Sequence, residues 1–462
     1  MQPQDEQKLL ESLYDRLFDA ITYSPDGKES GWQRDTTFLQ LAKNTVLNEE
    51  DFENMFNPTN PHGDFGKAEL FSAMVDTLPN PEAEWTDSGR TLSDTYATIV
   101  NNANTSITTD PDQLHTYNLA FNFLNVNKTT TDFTGNSVTT IEPSQIAIAY
   151  DNAQAAYITA LGGYRVAYNS YDLTKTDDQR AWNAVAPGLQ LTLDQAWNNW
   201  VRNGKAQVEQ AQNALVSTIN NAVSDVIAKS QTSINPQHQM ASVTTGGRPW
   251  LPSYAIPTNW YDATLRGAQL TLKSDYLNRT SSEKATSFTA AASYDKGMFH
   301  VSGEASGEFQ NNHSHMDANN FELQAELITV DIKRPWYNPL LFGMNSWYVD
   351  GFSKDGISDG SQDLNGMMPI VPTGFVVARN VRITADFSSE DQSLITSSIS
   401  AKASAGIGPF SFSGSYSHSS RKEKFTSSFD GSTLTLPGLQ IIGWINTILP
   451  ACPPQNSSSP NN

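Results

Sequence analysis

The 462-residue chain holds a single cysteine, Cys452, which excludes an intramolecular disulfide and any zinc site built from several cysteines. Histidine is nearly as scarce, with seven in all. Basic residues are also short, 29 Lys and Arg against 49 Asp and Glu, for a formal net charge of −20. That sign opposes phosphate backbones, which argues against nucleic-acid partners, and it disfavours polybasic docking on anionic lipid. Charged residues of either sign make up only 17% of the chain, so Ser, Thr, Asn and Gln must supply most of the polar surface. No apolar run reaches the roughly 18 residues of a membrane-spanning helix. The opening Met1-Gln2-Pro3-Gln4-Asp5-Glu6 lacks the basic and apolar regions of a secretory signal. The expectation is a chain made in the cytosol without a signal peptide, with lysis or a specialised machine as its route out.

Signatures of chemistry are missing too. There is no phosphate-loop pattern, dinucleotide-binding glycine signature, Gly-x-Ser-x-Gly elbow or His-Glu-x-x-His. Cys452 opens a Pro/Ser/Asn-rich stretch, and 451–462 is expected to be a disordered tail in which a thiol has no fixed base. No catalytic residue and no cofactor are expected, and the chain is read as non-enzymatic.

What is present divides the chain in two. The expected class is a multidomain α+β protein with an all-helical N-terminal half and an antiparallel β-rich C-terminal half. In the first half, Leu9, Leu10, Leu13, Tyr14, Leu17, Phe18 and Ile21 share one helical face over residues 5–22. Short helices are expected to fill the rest of 1–142. Ser144 is placed as the N-cap of the most regular segment, where Ile146, Tyr150, Ala153, Tyr157, Ala160, Tyr164, Ala167 and Tyr171 form one seam. Pro187-Gly188 is expected to end that helix. A second seam then runs through Leu193, Trp197, Trp200, Gly204, Val208, Ala211, Leu215, Ile219, Ala222 and Val226, which predicts a single helix over 191–230. The two would form a long antiparallel hairpin over 143–235 packed on the 1–142 helices.

The second half, 236–450, reads as a duplicated β domain with repeats at about 244–310 and 330–425. Arg-Pro-Trp occurs at Arg248-Pro249-Trp250 and again at Arg334-Pro335-Trp336, as structural landmarks whose Arg could lie on an aromatic face. At an offset of 111, Phe288–Ser306 aligns with Ile399–Ser417, and eight positions are identical, among them Gly297/Gly408, Phe299/Phe410 and Ser302/Ser413. Leu270-Thr271-Leu272 and Val381-Arg382-Ile383 are matched strands ahead of these segments, and Phe321–Ile332 is a further strand.

Each aligned segment alternates with period two. Phe288, Tyr294, Phe299, Val301 and Phe309 share a dry face in the first, and Phe410, Phe412 and Tyr416 in the second, against Ser, Thr and Glu on the wet face. An opposing sheet or lipid could cover such a face. Small, Ser/Thr/Gly-rich amphipathic hairpins resemble the inserting segments of β-pore-forming toxins. Two matched hairpins on one chain are similar in pattern to proteins of the membrane-attack-complex/perforin type. The likeness covers about a tenth of the chain and implies membrane insertion after self-assembly, with those eight aromatic and aliphatic residues as the inserting set.

Two weaker clusters remain. Asp350, Asp355, Asp359 and Asp363 punctuate a Gly-rich stretch, and His313 and His315 sit two apart, as metal-ligand candidates without a recognised spacing. The functional expectation is an effector or interaction protein, toxin-like and membrane-active through its paired hairpins, with a protein partner or a self-oligomer. The alternatives are a structural or cargo protein of a phage-tail-like injection particle and a carbohydrate-binding protein using the Trp and Tyr clusters.

Overall fold

Helix α1 (Pro3–Thr22) forms where the leucine spacing predicts it, and Leu9, Leu10, Leu13, Tyr14, Leu17, Phe18 and Ile21 are all buried in one core. The structure, a computed structural model, describes residues 3–22, 32–42, 45–106, 110–131, 134–168, 170–171, 173–244, 247–274, 299–302, 309–312, 317–419, 423–436 and 438–457.

The all-helical first half is overturned. The described residues are 41% helical and 30% strand, with nine helices spread through the chain and several antiparallel sheets. Strands Thr37–Leu41 and Val46–Leu47 pair with Leu439–Ile448 near the other end of the sequence, so the N-terminal region completes the main sheet. Thr37–Leu41 is buried at every position, so its sequence carries no alternation to betray a strand. Asn125–Thr131 and Ser137–Pro143 form a hairpin instead of helix, consistent with their β-branched Thr and Val content. Three short helices do occur in this region, α2 (Phe65–Val75), α3 (Leu92–Asn101) and α4 (Pro111–Leu124).

Ser144 accepts from the Ala147 amide at 3.4 Å and leads into α5 (Gln145–Tyr168). Its tyrosines meet tryptophans of α6 (Thr176–Arg202). Tyr150 and Tyr157 lie 5.6 and 5.4 Å from Trp200, and Tyr164 lies edge-on to Trp182 at 5.4 Å. Pro187 does not end a helix, because α6 runs through it along a largely exposed stretch where water can serve the freed carbonyl. The single helix expected over 191–230 is divided instead at Gly204. Its φ of +92° is left-handed, and a Cβ there would lie 2.8 Å from Ile146 Cγ1. The chain continues as α7 (Lys205–Thr218) and α8 (Val223–Ser233).

The main sheet is antiparallel. Its order is Thr37–Leu41, Leu439–Ile448, Ile370–Asp386, Asp317–Lys333 and Tyr254–Ile256, with Ala268–Lys273 also on Asp317–Lys333 and Thr433–Thr435 also on Ile370–Asp386. Along 317–333 the side chains alternate. Ile328, Val330 and Ile332 join Trp260, Phe375 and Trp444 in one core, while Leu323, Ala325 and Leu327 face the core that holds α1. Helix α9 (Ser389–Ala401), with a Ser388/Asp391 capping box, lies within the C-terminal half.

Candidate functional site

At one end of the main sheet, three rows of residues cross four strands in sequential order. They are Lys273–Glu322–Thr384–Thr433, Leu272–Leu323–Ile383–Leu434 and Thr271–Gln324–Arg382–Thr435. In every row the first and third residues, and the second and fourth, are 111 apart in sequence. The middle row is buried, and the row beyond it is polar, with Lys273 reaching Glu322 at 3.8 Å. Past the polar row, residues 274–321 connect the first pair of strands and residues 385–432 the second, two insertions of 48 residues each, of which 317–321 and 385–386 still belong to the strands Asp317–Lys333 and Ile370–Asp386.

The described parts of the two insertions share a second, five-stranded sheet ordered Phe309–Asn312, Phe299–Ser302, Ala405–Ile407, Phe410–Ser415 and Lys424–Thr426. Phe299 and Phe410 both pair with Ile407, and His300 and Ser411 both pair with Gly406. Gly406 makes the close packing feasible, since a Cβ there would lie 2.3 Å from His300 Nε2. The second aligned segment does not begin as a strand. Residues 399–401 form the last turn of α9, whose Ile395 is buried in the α1 core.

The inserting set is placed unevenly. Phe299, Phe410 and Phe412 are buried among α1 and α9 residues, and Val301 is half-buried against the same core. Tyr416 is half-buried and 5.5 Å from Phe425. Phe288, Tyr294, His313 and His315 lie outside the described residues, and Phe309 is described only as part of its strand. Protein therefore covers the dry face wherever it is described. Leu10 of α1 comes within 3.2 Å of the Cβ position at Gly408, in the turn between two of the strands. Polar ties join the two sheets. The Gln440 side chain accepts from the Ser411 amide at 2.8 Å and donates to the Ser411 carbonyl at 2.9 Å, and the Ser417 amide donates to the Val46 carbonyl at 2.8 Å.

A buried ion pair that sequence reasoning missed sits at a register shift between Gln324 and Glu326. Glu326 accepts from Arg379 Nη2 at 3.0 Å, from the Gly267 amide at 2.6 Å and from Asn380 Nδ2 at 3.0 Å. The Arg379 guanidinium also donates to the carbonyls of Asp262 and Leu265. Burial alone would push the Glu326 carboxyl up, yet the Gly267 amide, Arg379 and Asn380 together hold it below its usual value. Partners 53 residues apart, on a bulge, leave no periodic signal in the sequence.

The remaining candidates serve structure in this arrangement. Arg334 is buried and donates to the carbonyls of Pro372 and Val75 in place of the expected aromatic face, and Trp336 is buried 6.1 Å from Tyr96. In the first copy Arg248 is exposed and Trp250 half-buried, its indole donating to the Ala241 carbonyl at 3.3 Å. Asp350 accepts from Asn104, and Asp359 accepts from Ser361 and Asn365. Asp355 sits in a left-handed turn, its amide donating to Pro453. Among the described residues no group of three or more His, Cys, Asp or Glu is arranged to hold a metal ion. Cys452 is fully buried, and burial first, then Asp355, pushes its thiol up to about 12. No helix among the described residues is long and apolar enough to cross a membrane. No family model, curated protein or solved structure matches the chain.

Proposed function

We propose that the chain is a non-enzymatic, membrane-active effector that self-assembles and inserts both of its 48-residue insertions as β-hairpins. The observation that carries this reading is the pair of equal insertions leaving one end of the same four-strand meander. Unpacked, each insertion can continue its two parent strands without changing their register. Each arm would hold about 24 residues, or about 80 Å at ~3.3 Å per residue, against the ~9–11 residues that a tilted strand needs to cross a bilayer. The alternation of Phe299 and Val301, and of Phe410 and Phe412, would turn from the protein core to lipid. Four strands leave open edges that lipid does not tolerate, so closure requires further copies of the chain. The net charge of −20 favours zwitterionic over anionic bilayers as the target.

The Ser413 hydroxyl donates to the Ser398 carbonyl at 3.2 Å, which joins strand 410–415 to α9. In an extended hairpin over 385–432 these two residues would lie on opposite arms and several positions out of register. Ser398→Cys with Ser413→Cys, oxidised, is therefore expected to abolish dye release from phosphatidylcholine vesicles, and reduction to restore it. Wild-type chain that neither oligomerises nor releases dye from acidic to neutral pH would refute the reading.

A further inference from the structure

On the main sheet beneath α5 lies a cavity of about 330 Å³, none of whose lining residues belongs to the two insertions. Its floor is the sheet face carrying Thr329, Asp331 and Lys333, together with Thr373 and Thr447 from the neighbouring strands. Its roof is Asp151, Gln154 and Ile158 of α5, and Trp32 closes one side. A sheet face covered by a helix ordinarily carries apolar side chains, and here it is polar at five positions. The volume is within the range of small-molecule sites and about twice that of an apolar cavity that accepts benzene.

The charges in the cavity do not balance. Lys333 Nζ lies 2.7 Å from Asp331 Oδ2 and 3.4 Å from Asp151 Oδ1, so two carboxylates share one ammonium. All three side chains keep part of their surface open, 27% for Lys333, 29% for Asp331 and 16% for Asp151, so the group faces the cavity and not a sealed core. Burial raises the Asp151 carboxyl above its usual value, against the pull of Lys333 beside it. The hydroxyls are ordered as well. Thr373 and Thr447 lie 3.0 Å apart, and the Trp32 indole donates to Thr373 at 3.2 Å. Tyr337 lines the same cavity, and its hydroxyl is buried without a hydrogen-bond partner among the described residues.

We infer that this cavity binds a small hydroxylated amine, its ammonium completing the Asp151–Lys333–Asp331 group and its hydroxyls meeting the threonine ladder. A second cation makes the two carboxylates electroneutral in a site where an unbalanced charge is costly. The aromatic wall and the hydroxyl floor suit a molecule with one apolar face and several donors. Nothing in this assignment depends on membrane insertion.

Calorimetric titration of the full-length chain with glucosamine and ethanolamine, and with glucose and ethylene glycol as neutral counterparts, tests it. The expected result is saturable binding of at least one amine and at least tenfold weaker binding of its neutral counterpart. Asp331→Asn should weaken amine binding at least tenfold. The inference falls if neither amine binds, if the neutral compounds bind as well as the amines, or if folded Asp331→Asn binds like wild type.

Discussion

One strand, Asp317–Lys333, carries two chemistries on a single face. From Leu323 through Ala325 to Leu327 the face is apolar and buried in the core beneath α1, and from Thr329 through Asp331 to Lys333 it is polar and lines a cavity beneath α5. Period-two geometry is the same throughout, so the difference lies in the side chains and in what lies above each half. The dry half is held by transfer of apolar surface from water, of order 1.5–3 kcal/mol per large side chain. The wet half is held by hydrogen bonds and a charge group whose net contributions are smaller. Glu326 and Arg379 form a junction inside the dry half, at the bulge between Gln324 and Glu326. The lesson is that burial beneath a helix does not by itself make a core. A sheet can stay closed over a polar cavity when its neighbouring segment is packed well enough.

The largest effect should come from the junction. Glu326→Gln leaves the Arg379 guanidinium buried without its counter-charge and should cost about 3–5 kcal/mol, read from urea denaturation. The same residue sets an acid limb. Its carboxyl is held below its unfolded value, so its stabilisation is fully present above that value, about 4.3, and is lost as pH falls through the folded one. The wild-type chain should therefore lose stability on acidification more steeply than Glu326→Gln, and equal slopes would remove the junction from the account. Next, Leu323→Ala in the dry half should cost about 2–4 kcal/mol by transfer and cavity terms. Smallest, Thr447→Val, on strand Leu439–Ile448 at the cavity that the wet half lines, removes one hydroxyl of a 3.0 Å pair and should change stability by about 1 kcal/mol or less. If Thr447→Val costs as much as Leu323→Ala, the two halves are held alike and the comparison fails.

Some of this was legible in the sequence. The buried face of α1, the Ser144 cap and the tyrosine seam follow from spacing alone, because each involves neighbours one or two turns apart. The 111-residue offset was legible as an alignment. What it means in space was not, since nothing local reveals that Leu272 and Ile383 would flank the same Leu323. Strand Thr37–Leu41 was hidden because both of its faces are buried, and α9 because its last turn, 399–401, falls inside the segment that aligns with Phe288–Ser306. The cavity was hidden for a different reason. Thr329, Asp331 and Lys333 at alternate positions have the pattern of an ordinary solvated face, and only the position of α5 makes them an interior. The Glu326–Arg379 pair joins residues with no shared periodicity, so it had no sequence signal at all.

The lone thiol has a practical corollary. With Cys452 sealed and its proton held up to about 12, the folded chain meets alkylating reagents as though it contained no cysteine. Every cysteine introduced elsewhere then reacts against a silent background. The native thiol becomes reactive only when the segment around Ser358 opens, and the rate of its modification is a covalent clock for that opening.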